Sequence, residues 1–181
     1  HLVALRGHEA IVRELLDVAV AQGLGEAVLG AKTNGGSTAL HYAASEGFEA
    51  AVRELLDVAV AQGLVEAVLG AKANGGWTVL HSAASKGHEA TVKALLDAAA
   101  QVAHTDAILK AQDRHGRTAL DVAATEERKA SGEELTRYQA IRQMLQAPDG
   151  IWSMENTYTL EEAVALTRTY QLHEGVDPAK A

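Results

Sequence analysis

Apolar residues recur with helical spacing in two kinds of segment, and the two kinds alternate along the chain. The longer kind carries apolar residues at positions i, i+3, i+4 and i+7, which share one face of a helix. In one copy these are Val52, Leu55, Leu56 and Ala59. A shorter segment just before it has a narrow face of small residues that begins at Leu40. The pattern predicts a short helix followed by a longer one, each burying one side.

Capping signals indicate where these helices begin and end. Thr38 can cap the short helix, because its hydroxyl accepts hydrogen bonds from backbone amides of the first turn. Gly47 is expected to end that helix, since glycine adopts the left-handed conformation at a helix C-terminus without steric cost. The longer helix is expected to begin near Glu49 and to stop at Gly63. We expect a further short helical piece near residues 66–69.

The whole pattern returns every 40 residues. Of the 30 positions in residues 7–36, 26 are identical in residues 47–76, and a third, more diverged copy begins at Gly87. Each of the first two copies ends in Asn-Gly-Gly, which predicts a tight turn with positive φ. Self-similarity at such a period indicates stacked units that bury their apolar faces against one another. Two helices and a turn are expected in each unit.

Three segments resemble the ankyrin signature Thr-Pro-Leu-His-x-Ala. They are Gly-Ser-Thr-Ala-Leu-His-Tyr-Ala-Ala at 36–44, Gly-Trp-Thr-Val-Leu-His-Ser-Ala-Ala at 76–84 and Gly-Arg-Thr-Ala-Leu-Asp-Val-Ala-Ala at 116–124. Val-x-x-Leu-Leu recurs at a matching distance in the long segments. The resemblance implies a mainly α ankyrin-type solenoid, in which helix-turn-helix pairs are joined by short turns or β-hairpin loops. The proline of the signature is missing from all three copies.

Each repeat is about seven residues longer than the usual ankyrin period of about 33 residues. The extra residues lie between Leu16 and Ala31 and between Leu56 and Ala71. Seven residues is close to two helical turns, so a longer second helix would keep its buried stripe in phase. We therefore expect long-helix repeats.

The repeats divide the chain into a solenoid, residues 1–147, and a C-terminal extension. Within the solenoid we expect a partial repeat at 1–36, repeats at 37–76 and 77–116, and a capping repeat at 117–147. The last is expected to be the cap, because a long polar segment there precedes the apolar face and a terminal unit needs a polar outer surface. Residues 148–181 are expected to contain one helix, at 159–172, whose packing the sequence leaves open. The chain enters partway through a repeat, so we expect it to be a piece of a longer protein.

Composition and charge exclude several classes of protein. The net charge of −8 makes nucleic acid an unexpected partner, because an acidic surface repels phosphate backbones. Charged residues interrupt every apolar stretch before the roughly 18 positions that a membrane span needs, so no membrane partner is expected. There is no cysteine, which excludes disulfides and a thiol nucleophile. We expect a monomer inside the cell, cytoplasmic or nuclear.

No residue pattern indicates catalysis or metal binding. His41 and His81 each lie three residues after a capping threonine, where an imidazole can bond the turn and the next repeat, so a structural role is favoured. His104, Asp106 and His115 do not have the spacing of a zinc site. The glycine-rich turns lack the lysine of a phosphate-binding loop. We therefore expect no enzyme activity, no cofactor and no metal.

The resemblance implies that the turn tips and the exposed sides of the short helices line a concave surface that binds a protein or peptide. Carried onto this chain, that surface comprises Arg6, Asn34, Ser37, Ser45, Glu46, Asn74, Trp77, Ser85, Lys86, Arg114, His115, Arg117 and Glu126. Equivalent positions differ between copies that are otherwise nearly the same, as a modular binder requires. Two such triplets are Ser37/Trp77/Arg117 and Glu46/Lys86/Glu126.

Trp77 is the candidate anchor of this surface, because aromatic residues dominate interface hot spots. The alternative is that its ring packs along its own turn. Arg114 and Arg117 would bind acidic groups on the partner. The other function left open is that of a regulatory or targeting segment in a larger enzyme or channel.

Overall fold

The computed structural model describes residues 9–102 and 105–146, which contain ten helices and no strand. In chain order the helices are α1 (Glu9–Ala21), α2 (Gly25–Gly30), α3 (Ala39–Glu46), α4 (Glu49–Ala61), α5 (Val65–Gly70), α6 (Val79–Ser85), α7 (Glu89–Ala99), α8 (Thr105–Leu109), α9 (Ala119–Glu127) and α10 (Gly132–Gln146). The helix expected at 159–172 and the extension 148–181 lie outside the described residues.

The short and long helices form two parallel rows. The short helices contact one another in chain order, α3 with α6 and α6 with α9. The long helices do the same, α1 with α4, α4 with α7 and α7 with α10. Each short helix also packs on the long helix that follows it. This linear stack confirms the predicted solenoid of helical pairs.

The extra residues of each repeat form a third helix, so the expected lengthened second helix and two-helix unit were wrong. Helix α4 ends at Ala61, Gly63 adopts φ +67°, and α5 begins at Val65. A right-handed helix cannot continue through a residue in the left-handed region. Helix α5 instead turns onto α7 of the next repeat and buries Val65 and Leu69. The short helical piece predicted near 66–69 is confirmed.

Each short helix begins with the same cap. The hydroxyl of Thr38 accepts from the backbone N–H of His41, and Nδ1 of His41 accepts from the N–H of Thr38 over 3.3 Å. Thr78 and His81 repeat this arrangement. Gly47 follows α3 with φ +73°. The predicted N-cap and the predicted terminating glycine are both confirmed.

The core runs along the stack between the rows. The predicted stripe on α4 is buried throughout, with Val52 and Ala59 fully inaccessible to solvent. In the last repeat, Ile141, Met144 and Leu145 bury one face of α10. The other faces of α10 are exposed and polar. That this unit is a capping repeat stays a prediction.

Candidate partner-binding surface

The turns between repeats stack side by side. The backbone N–H of Asn74 donates to the oxygen of Gly35 over 2.9 Å, and the N–H of Arg114 donates to the oxygen of Gly75 over 2.8 Å. The result is a continuous edge with one turn per repeat. We call it the turn edge and define it as residues 31–38, 71–78 and 111–118.

The predicted binding residues on the turn edge are accessible to solvent. Those at the tips are exposed: Asn34, Asn74, Arg114 and His115. Those just before the capping threonines are half-buried: Ser37, Trp77 and Arg117. The amide of Asn74 donates to the backbone oxygen of Asn34 over 3.4 Å, and Nε of Arg114 donates to Nε2 of His115 over 3.0 Å. The first of these bonds joins two neighbouring tips, and the second links two residues within the third tip.

Trp77 packs against its own repeat without being fully covered. Its ring centroid lies 6.0 Å from that of His81, with the planes tilted by 38°. The residue is half-buried. The ring therefore contacts a side chain of its own repeat and keeps an accessible surface, and its role as an anchor for a partner stays a prediction.

Trp77 and Arg114 both lie beside Gly75. A Cβ atom on Gly75 would lie 3.8 Å from Cδ of Arg114 and 3.9 Å from Cδ1 of Trp77. At the equivalent Gly35, the nearest such neighbour is Oγ1 of Thr33 at 3.7 Å. The structure thus brings two of the predicted residues, one from the second turn and one from the third, together beside Gly75.

Arg117 is held by an ion pair within its own turn. Its Nη2 and Nε atoms donate to Oδ2 of Asp113 over 2.7 and 3.0 Å, while Oδ1 accepts from the backbone N–H groups of His115 and Arg117. Burial alone would raise the pKa of Asp113, but the hydrogen bonds from Arg117 and His115 hold that pKa well below its ordinary value. The charge of Arg117 is largely neutralised, so it is less available to a partner than Arg114.

The remaining predicted residues lie at the C-terminal ends of the short helices. Glu46 and Lys86 are exposed, and the half-buried Glu126 accepts from Nζ of Lys129 over 2.7 Å. Because these three positions are equivalent in successive repeats, they form a row of acid, base and acid.

Ser45 and Ser85 serve the contact between repeats. The backbone oxygen of Ser45 accepts from Nε2 of His88 over 3.0 Å, and that of Ser85 accepts from the hydroxyl of Tyr138 over 3.0 Å. Both serine residues are half-buried. Their backbones therefore help to hold the stack together.

His41 and His81 have the structural role that their positions indicated. Each Nε2 atom bonds a backbone oxygen in the next repeat, Trp77 for His41 at 3.2 Å and Arg117 for His81 at 2.9 Å. Burial lowers the pKa of both imidazoles. Neutral histidines thus join the short helices to the turn edge.

Sequence reasoning missed two lysines on the turn edge. Nζ of Lys32 donates to the backbone oxygen of Lys72 over 3.1 Å, and Nζ of Lys72 donates to that of Gln112 over 2.9 Å. Both lysines are exposed. The sequence did contain a signal for this basic edge. A lysine recurs at the same turn position in two copies, and Asp113 is the one acidic residue of the turn edge.

Two residues considered from the sequence, Arg6 and His104, lie outside the described residues. Across 9–102 and 105–146, no three His, Asp or Glu side chains are grouped so as to hold a metal ion. Within the same ranges, each helix is too short or too polar to cross a lipid bilayer.

Comparison with known proteins agrees with this architecture. The family model for ankyrin repeats, which spans three copies, matches residues 1–61 and 56–144. No curated protein matches the chain. Ankyrin repeats are generally protein–protein interaction modules, and the family is typically non-catalytic.

Proposed function

The chain belongs to the ankyrin-repeat family, and we propose that it is a non-catalytic module that binds a protein or peptide through the turn edge and the ends of the short helices. One observation carries this proposal. The repeats keep the same caps and the same bonds between turns, yet the accessible positions on that framework differ from copy to copy. Variable side chains on a constant scaffold are what a recognition surface requires.

Trp77 is the residue on which binding should depend most. It offers a large apolar surface that is partly covered and partly accessible, and its packing on His81 limits the conformational entropy that binding would cost. The equivalent position in the preceding repeat is Ser37. Trp77→Ser therefore removes the ring and puts in its place the residue that the equivalent turn of the preceding repeat carries.

The experiment compares three versions of the chain: wild type, Trp77→Ser and Val60→Ala. Val60 is an exposed apolar residue on α4, away from the turn edge, and serves as the matched control. Bound proteins are captured from the native cell by cross-linking, and the affinity of each purified partner is measured by calorimetry.

We expect Trp77→Ser to weaken binding by about tenfold to a hundredfold, the loss typical of an interface hot spot, and Val60→Ala to bind like wild type. Circular dichroism checks that both variants are folded. Equal affinity of all three folded chains would reject Trp77 as an anchor of the binding surface, and failure to capture any partner that binds the purified chain would reject the proposed function.

A further inference from the structure

Several large apolar residues of the first repeat are exposed, although their equivalents in the second repeat are covered. They lie on or next to α1 and α2 and are Leu15, Val18, Leu24 and Val28. Leu15 is 55% exposed, whereas its equivalent Leu55 is 2% exposed. Val28 and its equivalent Val68 differ in the same way, at 37% and 5%. Exposed apolar residues gathered on one face mark an interaction surface.

In the second repeat, the covered positions of the long helix lie on the side that meets the repeat in front. Helices α1 and α2 both pack on α4, and the carboxylate of Glu54 on α4 forms an ion pair with Arg13 on α1. Leu55 and Val58 share that side of α4, because residues three or four positions apart are neighbours on a helix. The equivalent side of α1 carries Glu14, Leu15 and Val18, so these residues lie where a preceding repeat would pack.

The third helix of each repeat shows the same relationship. Ile108 on α8 lines a groove together with Ala67 and Gly70 of α5, which belongs to the repeat in front. Val28 holds the position in α2 that Ile108 holds in α8, two repeats further on. It therefore lies where the third helix of a preceding repeat would contact α2.

We propose that this surface is an interface between repeats, covered in the native protein by a further repeat of the same kind that precedes α1 in the same polypeptide. We call the surface the end face and define it as Glu14, Leu15, Val18, Leu24 and Val28. The long helix of the added repeat presents a cation to the exposed Glu14, as Arg13 does to Glu54. Its third helix presents small residues to Val28. The end face shares no residue with the turn edge, so this inference is independent of the proposed function.

A second copy of this chain does not offer the surface that the end face requires. That surface is the side of a repeat that packs on the repeat behind it. Within the described residues this side is already occupied, because α1 and α2 pack on α4, and α4 and α5 pack on α7. The last helix, α10, exposes polar faces instead. A further repeat, with this side still free, is therefore the occupant that fits.

The test compares the chain with an extended version in which residues 1–46 are joined directly to residue 7. The inner copy of the first repeat then has a repeat of the same kind in front of it. Leu15→Asp is introduced into the chain itself and into the inner copy of the extended version. The matched control is Val20→Asp, because Val20 and its equivalent Val60 are similarly exposed, at 37% and 41%. Urea unfolding gives the stability, and sedimentation equilibrium gives the oligomeric state.

In the extended version, Leu15→Asp should lower the urea midpoint of the first unfolding transition by about 1 M or more, because it buries an unpaired carboxylate in the interface. In the chain itself the same substitution should lower the midpoint by about 0.3 M or less, since the residue is exposed there. Val20→Asp should have a similarly small effect in both. The chain should sediment as a monomer.

The native transcript tests the occupant directly. Upstream of the codon for His1 we expect a further copy of the repeat, with Arg or Lys at the position of Arg13 and Ala or Gly at the positions of Ala67 and Gly70. A transcript that encodes no such repeat would overturn the inference. So would equal shifts of the midpoint by Leu15→Asp in the two versions. A dimer of the chain that Leu15→Asp abolishes would also overturn it, because a second copy would then cover the end face.

Discussion

The Nε2 atom of His81 donates a hydrogen bond to the backbone oxygen of Arg117 over 2.9 Å and ties one short helix to the turn of the next repeat. Its Nδ1 atom accepts from the hydroxyl of Thr78 over 2.7 Å. His41 makes the same two kinds of bond. Because each ring donates at one nitrogen and accepts at the other, both imidazoles are neutral. Burial accordingly lowers their pKa below the ordinary 6.5.

Acidification should destabilise the protein through these two histidines. Because their pKa is lower in the folded chain, the unfolded chain binds more protons below pH 6.5. The free energy of unfolding should therefore fall as the pH drops from about 6.5 through the folded-state pKa. Urea unfolding between about pH 7.5 and pH 5 measures this slope. The double variant His41→Gln/His81→Gln should be less stable at neutral pH and should show a shallower slope; an unchanged slope would contradict the assignment.

Leu55 and Leu15 occupy the same position in successive repeats but differ in burial. Leu55 is 2% exposed and Leu15 is 55% exposed. Leu55→Ala should lower the free energy of unfolding by about 2–5 kcal/mol, the usual effect of truncating a buried leucine. Leu15→Ala should lower it by about 0.5 kcal/mol or less. Chemical denaturation of the two variants makes the comparison, and equal losses would show that the buried stripe is misassigned.

Ala73→Asp should stabilise the second turn. The turn around Asp113 and the turn around residue 73 close with the same backbone bonds. In the first of these, Oδ1 of Asp113 accepts from two backbone N–H groups over 2.7 and 3.0 Å. An aspartate at position 73 can accept from the equivalent N–H groups of Gly75 and Trp77. We expect a gain of about 1 kcal/mol in the free energy of unfolding.

The control for this gain is Ala67→Asp. It adds the same charge at an exposed position of α5, where the turn amides are out of reach. Thermal unfolding should show a higher midpoint for Ala73→Asp alone. A rise of the same size in both variants would mean that charge, and not the turn hydrogen bonds, is responsible.

Gly47→Ala should be more damaging than Gly63→Ala, although both glycines have positive φ. A Cβ on Gly63 meets nothing within 4 Å, so that variant carries only the backbone strain of about 1–2 kcal/mol. A Cβ on Gly47 would lie 2.5 Å from Nδ1 of His88. The ring would have to move and release its bond to Ser45, which should cost about 1–3 kcal/mol more.

A double-mutant cycle isolates that contact. Adding His88→Ala to Gly47→Ala should remove most of the excess cost, so the two substitutions should be non-additive in denaturant unfolding. Additive losses would show that the imidazole does not limit the space at Gly47.

Local sequence signals predicted the helices well because caps act over short distances. Thr38, Gly47 and Gly63 each have the conformation that their residue type indicated. The direction of the chain after Gly63 was not predictable in this way. Periodicity alone was compatible with one long helix. The packing of Val65 and Leu69 on the next repeat instead favours a separate helix, α5.

The candidate surface likewise has features that the sequence predicted and features that only the structure showed. The sequence predicted Trp77 and Arg114 as binding residues, but it treated Arg114 and Arg117 alike. The structure separates them, because Arg117 is paired with Asp113 and Arg114 is not held in that way. The lysines of the turn edge escaped notice, since their significance lies in contacts with residues 40 positions away.

By itself, the sequence determined the repeat, its family and the start and end of most helices, since these depend on a fixed period and on interactions within a few residues. Only the tertiary structure decided that the extra residues form a third helix, that Trp77 and Arg114 meet beside Gly75, and that cations lie along one edge. Each of these depends on distances between residues of different elements, and those distances are set by how successive repeats pack.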